Sequence, residues 1–231
     1  MTALDAPVIA LDGPASSGKS SVGAAVAAAR GFRFLDTGLL YRALTWLALE
    51  RGLDPADGPA IAPLAGEITL GSDDAGRLAR VLVSGRDIAA EIRTARVDRA
   101  VSAVSEQAEV RAALLDRQRA IAAPGAIVVA GRDIGAVVLP DADVKVWLDA
   151  SAEERASRRA AERGIDPSSP AGQAILEDLR RRDRIDGSRR VSPARAAADA
   201  IHVRTDGSSF PETVAAVLAV VADAREKEER G

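Results

Sequence analysis

The chain has 231 residues, of which 47% are hydrophobic and 28% charged, and its formal net charge is −3. This length allows a sizeable core in one domain with insertions, and the net charge excludes a global basic field that would recruit nucleic acid. Cysteine is absent and histidine occurs once, which excludes disulfides, thiolate metal sites and multi-histidine metal sites. No apolar run suits a membrane span or a signal peptide, so we expect a cytoplasmic protein.

Apolar runs alternate with helical patterns along most of the chain, which predicts an α/β fold with a parallel sheet covered by helices. In chain order, strands are predicted at 8–11, 32–35, 126–130, 144–148 and 202–205, and helices at 20–30, 37–51 and 211–224. After the fourth strand, Ser151 is predicted as a helix N-cap, with Glu154 completing a capping box.

Two regions interrupt this alternation. Residues 54–92 are rich in Gly, Asp and Pro and carry short alternating apolar runs, which predicts a small antiparallel insertion with no helix of its own. Residues 163–172 read RGIDPSSPAG and lie between two arginine-rich helical segments, a composition typical of a mobile flap.

The first strand and the first helix are separated by GPASSGKS at residues 13–20, which matches the phosphate-loop pattern G-x-x-x-x-G-K-[ST]. In such a loop, successive backbone N–H groups and the helix N-terminus bind phosphate oxygens. Lys19 is expected to reach the β- and γ-phosphates, and the Ser20 hydroxyl to ligate Mg²⁺. We predict that a nucleoside triphosphate binds to Gly13, Pro14, Ala15, Ser16, Ser17, Gly18, Lys19, Ser20 and Ser21.

Three further segments carry the arginines expected of a second anion site. They are LDTGLLYR at 35–42, AGRDIG at 130–135 and RRRDRIDGSRR at 180–190. Each segment alone is also compatible with an ion-paired turn or a solvated basic helix. Ligands of open α/β sheets bind beyond the carboxyl ends of strands, so the first two segments should meet the phosphate loop there. Together they predict a small kinase that transfers a γ-phosphoryl group to a phosphorylated acceptor, with flap arginines helping to exclude water.

These segments closely resemble the bacterial cytidylate kinases of the nucleoside monophosphate kinase family. The matching segments are DGPASSGKSS at 12–21, FLDTGLLYRA at 34–43, EIRTARV at 91–97, SAVSEQAEVR at 102–111, GRDIGAVVLPDADVKVWLDAS at 131–151, EERASRR at 153–159 and RRDRIDGSRRVSP at 181–193.

The resemblance implies a three-layer P-loop kinase core with a parallel sheet, a small monophosphate-binding domain and a short lid. The core would comprise residues 1–36, 116–157 and 186–231, the monophosphate-binding domain residues 37–115 with its β insertion at 54–92, and the lid residues 158–185. The resemblance also implies ATP with Mg²⁺ as donor and CMP or dCMP as acceptor, with no nucleic-acid partner, and it favours a monomer.

The resemblance also assigns roles to individual positions. The residues implied in catalysis are Lys19, Arg132, Arg155, Arg158 and Arg159, the last three as arginines that stabilise the transferring phosphoryl group and the ATP phosphates. The acceptor phosphate would be held by Arg42, Arg132 and Arg189, and the cytosine would be bound by Ser102, Arg111 and Asp133. The sugar would be bound by Asp186, with Arg182 nearby. Thr37 and Tyr41 complete the substrate-binding residues. A carboxylate at Asp133 suits cytosine, because it accepts a hydrogen bond from an exocyclic amine that uracil lacks.

One position departs from the family. Ala130 stands just before the GRDIG motif, where the family usually has Asp or Glu that would help to hold Mg²⁺. With alanine there, the metal is expected to depend on Ser20, on Asp36 as a candidate ligand, and on phosphates and water. Slower turnover would follow.

Two alternative functions stay open. The acceptor could be another nucleoside monophosphate such as UMP, or a small metabolite, although the cytosine-reading set argues against this. The chain could also be a nucleotide-binding regulator without turnover, which only Ala130 favours. A GTPase switch is disfavoured, because the sequence contains no N-K-x-D string.

Overall fold

The computed structural model describes residues 6–188 and 193–228, with backbone alone for 225–228. The strands are β1 Val8–Asp12, β2 Arg33–Asp36, β3 Ile68–Gly71, β4 Arg80–Val83, β5 Arg86–Asp87, β6 Ile127–Gly131, β7 Val144–Asp149 and β8 Ile201–Arg204. A parallel five-stranded sheet has the order β2-β6-β1-β7-β8, and a separate three-stranded sheet has the order β3-β4-β5. The five predicted strands of the parallel sheet are confirmed to within one residue at either end.

The helices are α1 Lys19–Arg30, α2 Gly38–Glu50, α3 Gly58–Ile61, α4 Ala95–Glu106, α5 Ala108–Ala122, α6 Ala152–Glu162, α7 Pro170–Ser188 and α8 Phe210–Glu228. Short 3₁₀ segments occur at Ala62–Glu67 and Glu91–Arg93, and one π-helical turn at Ile134–Val138. In the part of the chain described, no helix is both long and apolar enough to cross a membrane.

Both faces of the parallel sheet are covered by apolar side chains, as its continuous Val- and Ile-rich strands predict. On one face, Ile9 of β1 belongs to a buried cluster with Val26 of α1 and Val221 of α8. On the other face, Val129 of β6 clusters with Ala122 of α5 and with the π-helical turn. These three layers confirm the predicted α/β architecture.

The insertion between α2 and α4 confirms one expectation and overturns another. Strands β3, β4 and β5 pair in antiparallel fashion, as predicted. The expectation of no helix is wrong, because α3 and the 3₁₀ segment after it lie within 54–92. Asp57 caps α3 by accepting the N–H of Ala60 at 3.1 Å, and Ile61 and Leu64 are buried in a cluster with residues of α2 and α5. Burial on one side makes helix favourable in a segment whose Gly and Pro suggest only turns.

The capping box predicted for α6 is half present. The Ser151 hydroxyl accepts the N–H of Glu154 at 3.2 Å, as predicted. The reciprocal acceptor is Asp206, which takes the N–H of Ser151 at 3.0 Å, while the Glu154 carboxylate pairs with Arg158. A carboxylate from the turn after β8 therefore replaces the local one.

Helices α6 and α7 flank a loop at residues 163–169. The predicted loop at 163–172 is therefore three residues too long, because Pro170 begins α7. The two helices share an apolar cluster that includes Ala160 and Leu179. The same cluster contains Ala15, so the phosphate-loop segment packs directly against this helix pair.

Candidate active site

The loop between β1 and α1 depends on two glycines. A Cβ on Gly13 would lie 2.3 Å from the carbonyl oxygen of Leu148. Gly18 has a φ of +88°, in the left-handed region that favours glycine. The loop can therefore turn tightly into α1, where the positive end of the helix dipole favours an anion.

Lys19 is buried within this loop. Its Nζ donates to the carbonyl oxygen of Pro14 at 2.9 Å. Burial lowers the pKa of Lys19, and the charge of Arg132 lowers it further, while the carboxylates of Asp36 and Asp12 oppose that shift. A phosphate bound in the loop would favour the charged ammonium, which fits the role predicted for Lys19.

Ser20 and Asp36 form the pair of oxygen donors expected at a magnesium site. The Ser20 hydroxyl donates to Asp36 Oδ2 at 2.7 Å, and Asp36 lies in register with the fully buried Ala130 of the neighbouring strand. In the described ranges, no group of three or more His, Cys, Asp and Glu residues is placed to hold a metal ion. The pair fits Mg²⁺, which binds one or two protein oxygens and completes its shell with phosphates and water.

A cleft of about 700 Å³ opens at the carboxyl ends of β2 and β6. It brings together predicted residues from six separate stretches of the chain. Those that line it are Ala15, Ser16, Gly18, Lys19, Ser20, Ser21, Asp36, Thr37, Tyr41, Arg42, Ser102, Arg111, Arg132, Asp133, Arg158, Arg159, Arg182 and Asp186. The predicted residues not among its lining are Gly13, Pro14, Ser17 and Arg155. Arg189 lies outside the described residues.

Three arginines cluster in the cleft, and two of them have carboxylate partners. Arg42 pairs with Asp98 at 2.7 Å, and Arg132 pairs with Asp186 at 3.0 Å. The third is Arg182, whose buried Nε has no hydrogen-bond partner among the described residues. Burial lowers the pKa of Arg182, as does the nearby charge of Arg132. A bound anion would relieve this repulsion and supply the missing acceptor.

A buried corner of the cleft contains the residues predicted to read a base. Arg111 donates to the Asp133 carboxylate and, at 3.3 Å, to the carbonyl of Ser105. Its guanidinium lies 5.6 Å from the centre of the Tyr41 ring, within range of a cation–π contact. The Arg111 and Asp133 side chains are each 7% exposed, so fixed protein partners orient the carboxylate. Ser102 lines the same cleft.

Thr37 joins the two strands that end at the cleft. Its backbone N–H and its hydroxyl both donate to the carbonyl of Ala130, at 3.0 and 2.8 Å. The start of α2, and with it the position of Arg42, is thereby fixed to the end of β6.

Asp12 is a structural part of the site that sequence reasoning missed. Its carboxylate accepts the N–H groups of Ile134 and Gly135, each at 2.8 Å, and so holds the turn after Arg132 and Asp133. Burial raises the pKa of Asp12 to about 6. The only sequence signal is its place directly before the phosphate loop, which does not reveal its partners.

The three predicted arginines of α6 occupy different environments. Arg158 and Arg159 line the cleft, where Arg159 pairs with Glu162 at 3.1 Å. Arg158 pairs with Glu154 and donates to the hydroxyl and the carbonyl of Thr205. Arg155 instead lies behind the phosphate loop, and its side chain is 5% exposed.

Known proteins match this chain over most of its length. A model of the cytidylate kinase family matches residues 9–223. A cytidylate kinase of Mycolicibacterium paratuberculosis is 49% identical over 208 residues, covering 90% of this chain and 91% of that protein. The cytidylate kinase of Herpetosiphon aurantiacus is 48% identical over 217 residues, covering 92% and 93%. That of Streptomyces coelicolor is 47% identical over 225 residues, covering 95% and 94%.

The family match spans the phosphate loop, the cleft arginines and the buried Arg111–Asp133 pair. The resemblance stated from sequence motifs is therefore confirmed. The chain belongs to the cytidylate kinase family, and it is a phosphotransferase of that class.

Proposed function

We propose that this protein transfers the γ-phosphoryl group of ATP to CMP or dCMP, giving ADP and CDP or dCDP. The observation that carries the proposal is one cleft lined by a phosphate loop, an arginine cluster and a buried Arg–Asp pair. The loop suits the donor triphosphate, the cluster suits the acceptor phosphate, and the pair suits a base. The relatives named cytidylate kinase support the choice of cytosine.

The donor half of the site is the phosphate loop. Backbone N–H groups of the loop and the start of α1 bind the ATP phosphates, and Lys19 leaves the Pro14 carbonyl to contact the β- and γ-phosphates. Ser20 and Asp36 hold Mg²⁺, which when bound neutralises charge on those phosphates.

The acceptor half uses arginines that are partly ion-paired in the structure. Arg132, Arg42 and Arg182 bind the CMP phosphate, and the planar guanidinium groups suit its oxygens. Asp186, which pairs with Arg132, faces the same cleft and contacts the sugar hydroxyls. Asp133 accepts a hydrogen bond from the cytosine amine while the contact with Arg111 orients its carboxylate.

In the transfer step, an oxygen of the CMP phosphate attacks the γ-phosphorus of ATP. A new P–O bond forms as the bond to the β–γ bridging oxygen breaks, and ADP leaves with that oxygen. Catalysis of this kind depends on alignment and charge stabilisation more than on covalent chemistry. Arg158 and Arg159, which line the cleft, stabilise the negative charge of the transferring group.

The domain division is part of the same proposal. The parallel sheet and its helices act as the core, residues 37–115 hold the monophosphate, and residues 158–185 act as the lid over a monomeric enzyme. The support is that α7 carries Arg182 and Asp186 into the cleft while its other end adjoins residues 163–169.

A coupled assay of ADP release with Mg-ATP tests the proposal. We expect rapid release with CMP or dCMP and little release without an acceptor. Lys19→Met should reduce the CMP-dependent rate by about a hundredfold or more, because the charge on the β- and γ-phosphates loses its buried partner.

Glu153→Gln, which changes an exposed side chain of α6 outside the cleft, is the matched control and should keep the wild-type rate. Unchanged turnover of Lys19→Met would contradict the assigned role of that lysine. Absent release from wild-type protein that still binds ATP would instead favour a nucleotide-binding regulator.

A further inference from the structure

Arg155 uses its guanidinium entirely within the protein. Its Nε donates to the carbonyl of Ala150 at 2.9 Å, and its Nη1 donates to the carbonyl of Ala15 at 2.9 Å. Nη1 and Nη2 also contact the Asp183 carboxylate at 3.2 and 2.5 Å. These partners belong to the end of β7, the phosphate loop and α7. A guanidinium held by three elements in this way does not face the transferring phosphoryl group.

The carbonyl of Ala15 belongs to a peptide that the loop holds under strain. Ser16, the next residue, has a φ of 59°, a left-handed conformation that a side chain other than glycine disfavours. The described chain contains no cis peptide bond, so the N–H of Ser16 points opposite to the Ala15 carbonyl. Because Arg155, which does not line the cleft, holds that carbonyl, the N–H of Ser16 is directed away from Arg155, and Ser16 lines the cleft.

A second contact holds the same residue against helices α6 and α7. The Ala15 methyl group is buried in the apolar cluster of α6 and α7 with Ala156, Ile175 and Leu179. The helix pair therefore contacts the loop through both the methyl group and the carbonyl oxygen of Ala15.

Asp183 completes this arrangement from α7. It fixes the guanidinium plane through two contacts, and its neighbours on the helix, Arg182 and Asp186, line the acceptor side of the cleft. The position of α7 is thus linked through Arg155 to one peptide of the phosphate loop.

We propose that Arg155 is a positioning residue for the donor site: with Asp183, it holds the Ala15–Ser16 peptide in the orientation that aims the Ser16 N–H at an ATP phosphate. This inference rests on the proposed function for its ATP donor. The family resemblance implies that Arg155 contacts the transferring phosphoryl group directly. The role proposed here is instead indirect.

The test is a comparison of nucleotide affinities by calorimetry, with ATP and CMP each titrated alone into wild type and variants. Arg155→Lys loses the planar fork that contacts Ala15 and Asp183 together, and we expect ATP affinity to fall by about tenfold or more. CMP affinity should stay within about twofold, because Arg155 does not line the cleft. In steady-state kinetics the loss should raise KM for ATP while KM for CMP changes little.

Asp183→Asn is a milder second variant, because this side chain is 30% exposed and its charge is not sealed in the core. It should weaken ATP binding in the same direction by a smaller factor. Glu153→Gln is the matched control, because it weakens a second ion pair between α6 and α7, that of Glu153 with Arg180. This pair lies outside the cleft, and its side chains are 62% and 50% exposed. Its affinity for ATP should equal that of wild type.

Wild-type ATP affinity in both Arg155→Lys and Asp183→Asn, with a reduced kcat, would overturn the proposal and support direct contact with the phosphoryl group. An equal loss of ATP and CMP affinity with a lower Tm would also overturn it, as the sign of a general structural role. ATP binding is measured without an acceptor. Failure of CMP to accept phosphate would therefore contradict the proposed function but would not change the measured effect of the variants on ATP affinity. A wild-type protein unable to bind ATP would overturn both.

Discussion

The pKa of a side chain in this site can depend on burial as much as on its hydrogen-bond partners. Asp12 illustrates this, because its two backbone hydrogen bonds stabilise the carboxylate but burial opposes the charge more strongly. The phosphate-loop motif predicts roles for Lys19 and Ser20, because those roles follow from local spacing. The contacts of Asp12 with Ile134 and of Arg155 with Ala15 could not be predicted, because each joins residues more than a hundred positions apart in sequence.

Asp12 makes stability depend on pH in a defined direction. Its pKa is about 6 in the folded protein, against 3.8 for an unperturbed group. Between about pH 4 and 6 the folded state therefore keeps a proton that the unfolded chain has lost. The contribution of this group to the free energy of unfolding falls as pH rises through that window, by roughly 2–3 kcal/mol in total.

Urea unfolding of wild type and Asp12→Asn at several pH values between 4 and 7 checks this direction. The stability of wild type relative to the variant should fall as pH rises and level off above about pH 7. Asp74→Asn, which changes an exposed carboxyl in the insertion, controls for the loss of a charge. A constant difference between wild type and Asp12→Asn across the range would contradict the account.

At the scale of elements, strand ends decide where the chemistry is placed. The parallel strands follow from their apolar runs, and their carboxyl ends were predicted to meet, as β2 and β6 do at the cleft. Helix α3 was missed because Gly and Pro dominate the local composition, although Asp57 before Gly-Pro is an N-cap signal. The Asp206 contact at α6 was missed because a capping box considers only neighbours in sequence.

The end of β6 offers a test of metal positioning. Ala130 is fully buried and in register with Asp36, so Ala130→Glu introduces a second carboxylate near the Ser20–Asp36 pair. We expect the Mg²⁺ concentration for half-maximal rate to fall by about tenfold, with a higher kcat. We also expect lower stability in the absence of Mg²⁺, because a carboxyl group is buried without its cation.

Ala130→Gln has the same side-chain length without the charge and serves as the control. Its Mg²⁺ concentration for half-maximal rate should equal that of wild type. Equal Mg²⁺ dependence in Ala130→Glu, Ala130→Gln and wild type would show that the metal does not depend on this strand end.

At the scale of the whole molecule, the cleft combines segments that are distant in the chain. The phosphate loop, the start of α2, helices α4 and α5, the turn after β6 and helix α7 all contribute lining residues. The motifs predicted most members of this set. They could not predict that Arg155 lies behind the loop, because all three arginines of α6 share one short segment and only packing against α7 separates them.

The proposed choice of acceptor follows from the same arrangement. A site built around a buried, ion-paired carboxylate favours a ligand that donates a hydrogen bond and disfavours one that presents only an acceptor there. Cytosine donates from its amine, whereas uracil has a carbonyl at the equivalent position. Selection of CMP over UMP is therefore the central claim about this molecule.

The most direct test supplies equimolar CMP and UMP together in one reaction with limiting Mg-ATP, and measures the ratio of CDP to UDP formed. In such a competition the ratio reports the relative kcat/KM of the two acceptors. We predict an excess of CDP of at least about a hundredfold, because the Asp133 carboxylate is left without a donor when UMP binds. Equal amounts of CDP and UDP would contradict the assignment of this corner of the cleft to cytosine.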